Sequence, residues 1–210
     1  MCAVGARRTV RAALSIRRAL VVGALILLTA PTVGGQSPGL SLPGASTDSL
    51  AGLARGEWPT YAGTYGSAKY SPLDQLTPTN VGDLKIAWRW TSPDQAVRAV
   101  NARIDPSWYH EGTPIMVNGV PYTSTSLSQV AAIDAATGRT KWVFDPEAWK
   151  LGMPTNNGWL HRGVAYWRDG EDERVIMLTV HASMIALDAR TGRAVATFGD
   201  KGGVELVAGL

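Results

Sequence analysis

From residue 114 onward the chain alternates short apolar stretches, four to seven residues long, with breaks of glycine, asparagine and aspartate. The stretches 114–117, 120–125, 130–134 and 140–144 are rich in β-branched and aromatic residues and predict strands. Asn118-Gly119 between the first two is a two-residue hairpin signal, because both residues tolerate positive φ. The segment from Asp134 to Gly138 predicts a turn that ends on glycine. A second set follows at 163–167, 174–180, 184–188 and 194–198, with Asp169-Gly170 in its first turn and Asp188 to Gly192 in its last. Each set predicts four antiparallel strands in sequence.

The two sets are copies of one unit. Ala132-Ile133-Asp134-Ala135-Ala136-Thr137-Gly138-Arg139 matches Ala186-Leu187-Asp188-Ala189-Arg190-Thr191-Gly192-Arg193 at an offset of 54 residues. Phe144 and Phe198 keep that offset, as do Trp88 and Trp142. A four-stranded unit repeating near every 50 residues points to an all-β fold, a β-propeller with one unit per blade. About two complete blades are present. Eight tryptophans against two phenylalanines suggest a recurring structural role for the indole. Trp88 and Trp142 fit a place between splayed sheets, and the third copy carries Ala196 there, which predicts a smaller contact.

The first 56 residues follow neither pattern. Arg7, Arg8, Arg11, Arg17 and Arg18 precede an apolar run at 19–30, followed by Pro31 and the small residues Val33, Gly34 and Gly35. Residues 1–35 therefore predict a signal peptide and export to the periplasm. If the segment is not cleaved, it predicts membrane association. Residues 36–56, rich in Ser, Gly and Pro, predict a flexible linker, and the partial propeller occupies 57–210. Five of the positive charges lie before residue 36 with no acid among them, so the formal charge of +3 falls to about −2 without that segment. No basic run remains that would suit nucleic acid. The sole cysteine, Cys2, lies in the same segment, so residues 36–210 have no thiol or disulfide.

Trp58, Tyr70-Ser71-Pro72-Leu73, Asn80-Val81, Glu111-Gly-Thr-Pro-Ile115, the 132–142 repeat and Arg162-Gly163-Val164-Ala165-Tyr166-Trp167 follow one another in an order that resembles the quinoprotein dehydrogenases. These are the pyrroloquinoline-quinone-dependent alcohol and glucose dehydrogenases. The resemblance implies an eight-bladed propeller with the quinone on its axis and a calcium ion beside it. It implies an oxidoreductase that moves a hydride from an alcohol or aldose substrate to the quinone. Electrons would pass on to an acceptor, the quinone pool or cytochrome c.

By that resemblance Arg162 contacts the quinone oxygens, a role for which a permanently charged, forked donor is suited. Glu111 is implied at the cofactor's polar edge, and His161 is a further candidate for the cofactor pocket. His110, beside Glu111, is more simply read as polar packing. Alcohol-oxidising members carry two adjacent cysteines six and five positions before the arginine. Asn156 and Asn157 stand there in this sequence, which favours members that lack the disulfide ring. The calcium ligands and the catalytic aspartate are expected beyond residue 210. The chain is thus expected to be an N-terminal part, inactive by itself. The competing expectation is a non-catalytic propeller scaffold of the cell envelope, which would need neither Glu111 nor Arg162.

Overall fold

Two sheets account for nearly all the regular structure, and each is one predicted repeat. The computed structural model describes Leu53 and residues 55–67, 69–104, 111–154 and 158–207. The predicted signal peptide lies outside these residues, as does most of the linker; Leu53 near the linker's end is buried. The first sheet has the order β1 (Ile115–Val117), β2 (Val120–Ser124), β3 (Val130–Ile133) and β4 (Thr140–Phe144). The second has β5 (Ala165–Asp169), β6 (Asp172–Leu178), β7 (Ser183–Asp188) and β8 (Gly203–Glu205). Every neighbouring pair is antiparallel. These are two propeller blades, A and B.

The turns form as the side chains dictate. Asn118 and Gly119 both have positive φ, 52° and 70°, which suits the right-handed twist of the hairpin between β1 and β2. After β3 the Asp134 carboxylate accepts from the Thr137 amide at 2.9 Å and the Thr137 hydroxyl at 2.7 Å. The Gly138 amide donates to the Asp134 carbonyl at 2.8 Å. Asp188, Thr191 and Gly192 reproduce these bonds one repeat later. The Thr137 bonds, side chain first, hold the Asp134 carboxyl below the usual carboxylate range.

The blades meet through indoles. Trp142 on β4 reaches across to blade B, where its Nε1–H donates to the Ala189 carbonyl at 3.0 Å. Trp88 makes the same bond to Ala135 of blade A at 2.9 Å. Each ring then lies on the glycine of the turn. A Cβ added to Gly192 would sit 2.5 Å from the Trp142 ring, and one added to Gly138 would sit 2.6 Å from Trp88. Glycine is thus required there for space as well as for φ. Tyr122 of β2 adds its hydroxyl to the same Ala189 carbonyl at 3.3 Å. Ile115, Tyr122, Val130 and Ala132 of blade A close a core with Val175, Met177, Leu187 and Ala189 of blade B. Trp88 lies in a stretch, 84–91, that has no regular secondary structure and pairs with no strand among the described residues.

The eighth strand departs from the sequence expectation. Residues 194–198 do not form it. Ala194 makes one bridge to Leu187, the Val195 amide donates to Ala186, and the chain turns away at Phe198. It returns at Gly203–Glu205, which completes the sheet against β7. Ala196, at the position of the tryptophan, lies in the turn that carries the chain away. The detour instead packs on itself. A Cβ on Gly202 would press on Ala194, and one on Gly199 would run into the Gly203 carbonyl.

The sequence expectation also lacked a helix, α1 (Asp94–Val100). Asp94 at its start is buried and accepts from the Leu127 amide at 3.3 Å and the Gln129 side chain at 3.1 Å. Burial pushes its carboxyl up, against the pull of hydrogen bonds from Thr125, Leu127, Ser126 and Gln129.

Two outcomes follow from the indole contacts. Gly170 has φ 57° and open space around it, whereas Gly192 has φ 72° and the Trp142 ring over it. G170A should cost about 1 kcal/mol for backbone conformation alone. G192A should cost about 2 kcal/mol more through overpacking, as read from urea midpoints. Burial and the carboxylates of Glu173 and Asp188 push the Tyr122 hydroxyl up from 10.0 to about 12. Its contribution is therefore complete below pH 10 and lost as the pH rises from 10 through 12. Y122F should be less stable than the wild type at neutral pH, with the gap shrinking across that alkaline window in pH-dependent melts.

Candidate functional site

Glu111 and Arg162 lie far apart in sequence and at different phases of the repeat, four residues before β1 and three before β5. The fold brings them together where the two blades begin. An Arg162 Nη atom stands 3.5 Å from the Glu111 carboxylate. The approach depends on Gly163, whose φ is 115°. A Cβ there would come within 3.2 Å of the Thr113 carbonyl, so glycine lets the two blade entries touch.

Both side chains are open to solvent, with 76% of Arg162 and 48% of Glu111 exposed. A pair so well hydrated contributes less than about 1 kcal/mol to folding. Its single ionic contact leaves other guanidinium N–H groups directed to solvent, where they are able to meet a ligand anion.

Arg162 forms the rim of a cleft of about 610 Å³ at the same end of blade B. The walls are largely apolar, with Leu160, Val164, Ile176, Leu178 and Met184 among them. His161 also lines it, but its ring is mostly buried. Nε2 lies 2.6 Å from the Leu178 carbonyl, and Nδ1 accepts from the Gly163 amide at 3.3 Å. A carbonyl only accepts, so Nε2 carries the proton and the ring is neutral.

The cleft floor is tied to blade A by groups the sequence reading passed over. The buried Ser128 hydroxyl accepts from the Val180 amide at 3.2 Å. Ser128 itself sits between Leu127 and Gln129, the two residues that Asp94 holds. The local signal for Asp94 was Ser92-Pro93-Asp94 ahead of an apolar-spaced segment, a helix start. No pattern marks Ser128. His110 and the Asn156-Asn157 pair lie outside the described residues. Among the described residues no group of three His, Cys, Asp or Glu converges as a metal site.

The arrangement offers a cationic rim above an apolar wall, with an adjacent carboxylate. It suits an organic anion with apolar surface.

The sequence and the fold are similar to those of known proteins. The sequence profile described as PQQ, glucose/ethanol/alcohol dehydrogenase, beta-propeller domain, matches residues 58–210. The dehydrogenase subunit of alcohol dehydrogenase (quinone) from Gluconobacter oxydans strain 621H is 38% identical over 154 residues, covering 72% of this chain and 18% of that protein. Quinoprotein glucose dehydrogenase A from Acinetobacter calcoaceticus is 30% identical over 182 residues, covering 77% and 22%. The crystal structure of quinohemoprotein alcohol dehydrogenase from Comamonas testosteroni superposes with a TM-score of 0.61 at 30% identity, covering 78% of this chain and 22% of that one. The chain thus spans about a fifth of the length of the relatives it matches.

The Gly163 contact carries its own expectation. G163A should force apart the Thr113 and Gly163 backbones and strain a φ of 115°. A loss of about 2 kcal/mol in chemical denaturation is expected, whereas R162A should leave the denaturation midpoint nearly unchanged.

Proposed function

This chain belongs to the PQQ-dependent glucose/ethanol/alcohol dehydrogenase family, and from that premise we propose that residues 58–210 supply the opening part of the quinone site of an oxidoreductase acting on CH–OH groups. The observation that carries the proposal is the Arg162–Glu111 pair at the cleft rim. Folding gains little from it, yet a glycine with positive φ is placed so that it forms.

The donor set fits the cofactor. Pyrroloquinoline quinone is planar and carries carboxylates beside two carbonyl oxygens. Arg162 offers a fixed fork to a quinone or carboxylate oxygen. Glu111 keeps that fork aimed along the rim, and, as its neighbour, lets a proton be shared at the cofactor's polar edge. Leu160, Val164 and Leu178 give an apolar wall that keeps water from one side of the cleft. When bound, the quinone supplies a two-electron acceptor for a hydride from the substrate carbinol carbon. What this chain's own residues do is bind and orient.

We assign neither the general base nor the ligands of a calcium ion to any described residue. The proposed substrate class is an alcohol or an aldose. The missing cysteine pair argues for the ring-less members, while the alcohol-oxidising relative is the more similar of the two compared, so both classes stay in the proposal. The electron acceptor we propose is the quinone pool or a cytochrome c. Export to the periplasm is proposed from the basic and apolar segment at 1–35.

Titration of the full chain with pyrroloquinoline quinone, followed by tryptophan fluorescence, tests the binding role. Saturable quenching is expected, with affinity about tenfold weaker in R162A, the loss of one charge-assisted contact. An R162A affinity equal to that of the wild type would remove Arg162 from the site.

A further inference from the structure

We infer that His161 is a positioning residue for Arg162, a neutral imidazole that clamps the backbone segment from which the guanidinium projects into the quinone site. The inference deepens the quinone reading and rests on it. It departs from the expectation that the imidazole itself lines the cofactor pocket as a ligand.

Three observations carry it. First, the two side chains are unequally buried. His161 is 9% exposed, whereas the Arg162 side chain next to it is 76% exposed. Second, the ring's two nitrogens bracket Arg162. Nε2–H is bound to Leu178 at the end of β6, which ties the segment to the sheet of blade B, and Nδ1 takes the amide of Gly163 on the far side. Accepting from the amide two residues on is the geometry of an Asx turn, with imidazole nitrogen in place of a carboxamide oxygen. Third, the next residue is a glycine at φ 115°, a position with wide backbone freedom when nothing fixes it. A segment with such a residue beside Arg162 is free to shift the backbone that carries the side chain. The Nδ1 contact removes that freedom and sets Arg162 beside Glu111.

The tautomer is essential to this role. Nδ1 is an acceptor only while it carries no proton, so the Nε2–H form alone satisfies both contacts.

Nitrogen NMR of the full chain reads the clamp without any cofactor. At neutral pH the His161 shifts should report a protonated Nε2 and an unprotonated Nδ1, and the Arg162 Nε should relax as an ordered group. The opposite tautomer, an imidazolium, or an Arg162 Nε as mobile in the wild type as in H161L would each overturn the inference. Quinone titration then reads the consequence. H161N keeps an acceptor for the Gly163 amide and should bind within about threefold of the wild type, while H161L should bind about tenfold more weakly. In an R162A background H161L should cost nothing further, because its effect passes through Arg162. An undiminished loss in that background, or an H161N as weak as H161L, also overturns the inference. Absence of saturable binding in the wild type rejects the quinone reading itself, and the NMR comparison still decides whether His161 orders Arg162.

Discussion

An indole laid on a glycine is the contact on which the rest depends. Two sheets that splay from a common axis leave a wedge between them, which needs a broad, flat filler with a polar edge. Trp142 fills it, satisfying its own N–H on the Ala189 carbonyl while its face rests where Gly192 has no side chain. The interface is thus specified from both sides, by a large residue on one blade and an absent one on the next. Trp88 and Gly138 repeat the arrangement with the same atoms one period earlier. The spacing this contact sets between blades is also the spacing at which Glu111 reaches Arg162.

Much of the fold was legible because its local signals agreed. Asn118-Gly119, the Asp-x-x-Thr-Gly turns and the apolar stretches all named the same seven strands. The eighth was misplaced for a physical reason. Periodicity assumes that each copy pairs in the same way, whereas here 194–198 keep one bridge to β7 and Gly203–Glu205 take the strand position. The helix was missed because α1 is only seven residues long and its key residue, Asp94, is defined by a turn more than thirty residues away. Apolar patterning carries no trace of such a partner.

The candidate site was legible in its residues and not in its geometry. Glu111 and Arg162 stood out through the motifs around them, but no repeat offset relates them, so their meeting is a property of the blade interface alone. His161 shows the converse. Its place beside the candidate arginine invited a ligand role, and the carbonyl of Leu178 and the amide of Gly163 are what its nitrogens meet. The site thus divides into an exposed rim, where Arg162 and Glu111 are solvated, and a braced floor. That floor is held by Asp94 through Leu127 and Gln129, and by Ser128 through Val180.

The indole contact also governs how such a chain emerges from the ribosome. Trp88 and Trp142 each find their acceptor 47 residues further on, so a blade that has just folded presents an uncovered ring until the next one arrives. Assembly of that kind proceeds by nearest neighbours, and every pause leaves a sticky edge for a chaperone or for another nascent chain. Blade B is the exception. With Ala196 at the tryptophan position, it offers no bare indole there, and synthesis passes this point with one fewer surface to protect.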